Sequence, residues 1–101
     1  MKQYKVRLIP AAYHDLNDAR DWYRRINPEL PKKLNHQVKL SMERIRTLPT
    51  AYATKYNNVR IANIAVFPYA IHFIIEASNV VVIAVHHTAI DPNKWLKRYN
   101  K

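Results

Sequence analysis

Residues 80–87 read VVVIAVHH, and residues 88–92 continue TAIDP. The run Val80–Val85 is apolar without alternation, the pattern of a strand covered on both faces. It predicts the central strand of a sheet, and the remaining elements have to be arranged around it. The strand runs straight into His86-His87 and then an Asp91-Pro92 break. Histidines at a strand end can do acid–base chemistry, ligate a metal, or simply rim a core. The rest of the chain narrows the choice.

Upstream, Ala77-Ser78-Asn79 reads as a tight turn, and before it the period is two. Phe67, Tyr69, Ile71, Phe73 and Ile75 share one parity; Ala70, His72, Ile74 and Glu76 share the other. Val59 and Ile61 likewise oppose Arg60 and Ala62, which predicts a further strand. Residues 50–58 read as a polar link. The chain has no glycine, so Asn57, Asn58 and Asn79 are the residues expected to take any positive φ the turns need. At the other end Tyr4, Val6 and Leu8 alternate with Lys5 and Arg7, a short strand that Pro10 stops.

Between the first and second strands the period lengthens. Ala12, Leu16, Ala19, Tyr23 and Ile26 fall at spacings of 4, 3, 4 and 3, the apolar stripe of a helix. Asp15, Asp18, Arg20, Arg24 and Arg25 are expected mostly toward water, acids early and bases late as the helix dipole favours. Asn27-Pro28 ends this helix. Pro28 or Pro31 opens a second, whose stripe is Leu34, Val38, Ser41, Ile45 and Leu48 and which Pro49 closes. The order is β-α-α-β-β-β. It predicts an α+β fold, a helical hairpin packed on one face of a small antiparallel sheet, in a single domain over residues 1–101.

Composition sets the class. Of 101 residues 49% are apolar, enough for a core and against global disorder. Cysteine is absent, which excludes disulfides and thiolate metal sites. The start, MKQYKVRLIP, lacks the apolar stretch of a signal peptide. Ile61–Ile75 is interrupted by Asn63, Pro68 and His72, and Val80–Val85 is too short to span ~30 Å of bilayer. A cytoplasmic protein without membrane contact is expected. The formal charge is +10, from 17 Lys and Arg against 7 Asp and Glu, which steers the chain toward polyanions or an acidic protein. Residues 61–93 contain no Lys or Arg, so that segment is core and the charge belongs to the two ends.

Several motifs fall together in this frame: Asp15-Leu16 with Trp22-Tyr23, Leu48-Pro49, and Arg60 seven residues before Phe67-Pro68-Tyr69. Val85-His86-His87-Thr88 is then followed by Asp91-Pro92, Trp95 and Arg98. In this order the chain resembles the RelE/ParE superfamily, toxins of type II toxin–antitoxin (plasmid stabilisation) modules, over nearly its whole length. It departs from that pattern at Ala70, where relatives often carry Arg, and at Ile90, where a basic residue is common. The resemblance implies a growth-inhibiting toxin neutralised by a cognate antitoxin. It leans toward the ParE-like branch, which poisons DNA gyrase. The alternatives are a ribosome-dependent messenger RNA endonuclease, or a non-toxic relative that only binds its antitoxin. RNA cleavage needs a base, an acid and a cation on the phosphate, and the two departures remove cations.

If Val59 and Ile61 share the helix-facing side with the Phe67–Ile75 parity, then Arg60, His72 and Glu76 emerge on the open side. One of His86 and His87 joins them there. That set is the candidate catalytic group. The bland alternative makes the histidines half-buried surface residues and pairs Arg60 with Glu76 or a partner carboxylate. A zinc site from His72, His86 and His87 is disfavoured because adjacent strand residues point to opposite faces, and no metal or cofactor is expected. One histidine of the pair is expected to fix the turn and the other to face the open side. His14 and His36 are read as exposed. In the tail, Asp91-Pro92 opens a helical turn. There Trp95 is expected to cover a core end, to join a candidate surface for a target or partner, or both; that surface is Trp95, Lys94, Lys97, Arg98 and Tyr99, with His72 on the open face.

Overall fold

A computed structural model describes residues 3–90 of the chain. Strand β1 (Lys5–Leu8) leads into helix α1 (Pro10–Ile26) and helix α2 (Leu30–Thr47). A 3₁₀ turn (Pro49–Ala51) follows, and then β2 (Thr54–Tyr56), β3 (Val59–Asn63), β4 (Tyr69–Glu76) and β5 (Asn79–His87). The two helices pack against a five-stranded sheet ordered β1-β5-β4-β3-β2. The apolar run of β5 is central, between β1 and β4, and Val80, Val81, Val82 and Ala84 are fully buried.

Two features differ from the sequence expectation. The sheet is mixed, because β1 pairs with β5 in parallel while every other pair is antiparallel. The helical hairpin and strands β2–β4 lie between the two in the chain, far more than the roughly dozen residues a parallel pair requires. The predicted polar link also contains a fifth strand, β2, on the outer edge. A three-residue edge strand with two exposed positions has no apolar period to reveal it.

The helix stripes hold in their middle and fail at their ends. Ala12, Leu16, Ala19, Leu34, Val38, Ser41 and Ile45 are buried, while Ile26 and Leu48 are exposed. Ile26 is the last residue of α1 and Leu48 the cap that follows α2. Asp15, expected toward water, is 7% exposed. Proline opens both helices, Pro10 at the first position of α1 and Pro31 at the second of α2. Positive φ falls on Asn57 as expected, but otherwise on Val66 and Ala77 rather than Asn58 and Asn79.

Tyr69 fixes which parity of β4 faces the helices, because its ring lies 6.0 Å from that of Tyr23 on α1. Ile71 and Phe73 share that parity. In β3, Ala62 pairs with Ile71 and Arg60 with Phe73, whereas Ile61 pairs with His72 and Asn63 with Ala70. Directly paired residues occupy one face. The β3 phase is therefore opposite to the expected one: Ile61 shares the open side with His72, and Arg60 does not.

Candidate functional site at the histidine rim

β1 stops at Leu8, opposite Val82, and leaves the second half of β5, residues 83–87, with no strand on that edge. α1 turns back along that edge and fills it with a side chain. The Asp15 carboxylate accepts a hydrogen bond from the Val85 backbone N–H at 3.0 Å, in place of the neighbouring strand. The same oxygen, Oδ2, lies 3.3 Å from Nε2 of His86. Because the carboxylate sits at the sheet edge, it reaches a histidine whose strand partner, Ala70, belongs to the open face. Asp15 is reached from the core stripe, since it stands three residues after Ala12 and four before Ala19. That spacing was the signal for its burial.

His72 lies two pairs further in on the same face, opposite Ala84 and Ile61, and is 5% exposed. Its Nδ1 is 3.0 Å from the Tyr56 hydroxyl of β2. Burial pushes this imidazole down from 6.5 to about 4, His86 adds to the effect and Asp15 opposes it. Near pH 7 His72 is therefore neutral and lacks the imidazolium proton a general acid would give. Asp15, His86, His72 and Tyr56 thus mark a polar line from α1 across the open face to the far edge. A cleft of about 220 Å³ opens beside it, lined by Lys55, Ile61, Asn63, His72, His87 and Thr88 among others.

The predicted set divides in this arrangement. His86 and His72 stand on the open face. His87 pairs with Tyr69, their rings 5.6 Å apart, and its Nδ1 accepts the Ala89 N–H at 3.1 Å in the turn. Arg60 is on the other face, where its guanidinium donates to the Tyr52 carbonyl rather than to Glu76. Glu76 is half-buried at the far end of β4, opposite Asn79. Lys94, Trp95, Lys97, Arg98 and Tyr99 lie outside the described residues. Among the described residues no three of His, Asp and Glu converge to hold a metal. Sequence reasoning missed Asp15, Tyr56 and Lys55. The two on β2 were hidden with their strand.

A helical hairpin on a small mixed sheet, with a polar rim where the central strand ends, defines a compact α+β class. Over residues 6–92 the chain matches the family described as ParE toxin of type II toxin-antitoxin system, parDE, and it belongs to that family. It is therefore a toxin component of a type II module, and its class implies a cognate antitoxin. Among solved structures it is similar to one titled Chromosomal ParDE TA system from P. aeruginosa. The two align with a TM-score of 0.73 and 16% identity, over 84% of this chain and 96% of that one. At that identity the likeness speaks to the fold. A comparison with curated proteins finds none that matches.

Proposed function

We propose that this toxin arrests growth by binding and inhibiting a nucleic-acid machine in the cytoplasm, DNA gyrase foremost, and that its co-encoded antitoxin neutralises it with an acidic or amphipathic segment. The observation that favours inhibition by binding over RNA cleavage is the β3 register. Arg60, the cation expected beside the histidines, pairs with Phe73 and is turned to the Tyr52 carbonyl. A phosphate transition state on the open face would lack that charge. One observation favours the rival messenger RNA endonuclease: Lys55 lines the same cleft as His72 and His87. No helix among the described residues is long and apolar enough to cross a membrane.

The two readings separate in vitro. The purified chain, added to a gyrase supercoiling reaction and to a translating extract, is expected to stop supercoiling and leave messenger RNA intact. Transcripts cut within codons, with supercoiling untouched, would reverse the assignment.

A further inference from the structure

We propose that the cleft between α1 and the end of β5 is a docking site for a basic side chain, arginine foremost, carried by the antitoxin. The antitoxin reading above supplies only the carrier; the cleft itself can be tested alone. It has a volume of about 280 Å³ and is lined by Asp15, Asp18, Trp22, Tyr69, His86 and Ile90 among others. That is room for one long side chain rather than a helix. Its chemistry is opposite to that of the chain as a whole, which carries +10.

Two independent features set this cleft apart. Trp22 is 57% exposed and lies outside the core stripe of α1, so its ring is not held by packing the hairpin. A Trp face beside Tyr69 is the surface on which a guanidinium stacks. Asp18 is the other. The exposed carboxylates Asp21, Glu29 and Glu43 each have a basic partner three residues further along the chain. Asp18 has no basic partner among the described residues. Yet it lies close enough to Tyr69 to join burial and Tyr23 in raising that phenol above its usual range. Arginine rather than lysine is favoured because a planar fork can stack on Trp22 and donate to a carboxylate at once.

The test uses the full-length chain labelled with ¹⁵N and titrated with acetyl-arginine amide, with norleucine amide as the apolar control. Saturable shifts of the Trp22 indole N–H, assigned through Trp22→Phe, are expected with arginine and not with norleucine. Asp18→Asn, an exposed change that leaves the core intact, should weaken them about fivefold. Equal shifts with both amides, or shifts that Asp18→Asn leaves unchanged, overturn the site. So does arginine binding that emerges only after Lys94, Lys97 and Arg98 are replaced by Ala, because the chain's own tail would then be the occupant. For the carrier, Asp18→Arg should raise the Kd for the co-encoded antitoxin at least about tenfold. An unchanged Kd sinks the antitoxin assignment even where the amide binds. An antitoxin that fails to bind the wild-type chain sinks the neutralisation reading, with the amide result still deciding the cleft.

Discussion

His72 shows how a single side chain can set the pH response of this domain. In the unfolded chain its imidazole titrates near 6.5, and in the fold burial lowers it to about 4. Above 6.5 both states are neutral and stability is whole. As pH falls through 6.5 toward 4 the unfolded state takes the proton and the folded state refuses it, so stability drops, by roughly 2–3 kcal/mol by pH 4.5. Urea midpoints at pH 7.5 and 4.5 should register that loss, and His72→Leu should remove most of it. A variant with the same pH slope as wild type would show that other groups carry the effect. Asp15 is the second such residue. Asp15→Ala strands the Val85 N–H and the His86 ring, and is expected to cost about 2–4 kcal/mol. Asp15→Asn keeps an acceptor for Val85 and should cost less. If both variants unfold at the wild-type midpoint, the edge of β5 does not depend on this carboxylate.

At the scale of elements, packing outweighs local preference. Val66 takes φ 76 while 81% exposed, a conformation that costs a β-branched residue about 1–2 kcal/mol. What imposes it is the neighbour. Phe67 is buried with its ring 5.0 Å from Tyr23 and precedes Pro68, which restricts its backbone to extended forms. Val66→Gly should therefore stabilise the chain by about 1 kcal/mol in thermal or urea unfolding, and a loss of stability there would refute the strain. In α1 the stripe predicts that Leu16→Ala, at a site 6% exposed, costs about 2–5 kcal/mol. A cost well below 1 kcal/mol would contradict the burial of that face. The stripes were legible because helix periodicity is local to one element. The phase of β3 was not: Val59 and Ile61 compete with Ala62 and Ile64 for the same face, and only pairing with β4 decides between them.

Taken whole, the molecule gathers Asp15, His72, His86 and His87 toward one end of the sheet, and that placement separates the two mechanisms. In an inhibitor that works by contact, the His86→Ala/His87→Ala double variant should still arrest growth. Removing the tail from Trp95 onward should abolish arrest instead. The reverse pattern, with messenger RNA cut in cells and rescued by the double variant, would make the rim catalytic. Far-UV circular dichroism of both variants checks that the fold survives. A toxin carrying +10 should also lose affinity for an acidic partner as salt rises from low to physiological strength.

The amino-acid sequence by itself determined the two helices, the central strand, the period-two character of β3 and β4, and membership of the toxin superfamily. The elements are carried by spacing within a few turns or a few residues of one segment, and the membership by the order of short motifs along nearly the whole chain. Only the tertiary structure decided that β1 runs parallel to β5, that residues 54–56 form an edge strand, and that Arg60 and His72 stand on opposite faces. It also decided that Asp15 closes an open sheet edge and lies beside His86. Those facts depend on register and on where one element ends beside another, across as many as 70 residues of chain between Asp15 and Val85. Local periodicity has no access to a relation set by pairing between distant segments, because the hydrogen bonds and burial that select it exist only once the sheet has formed.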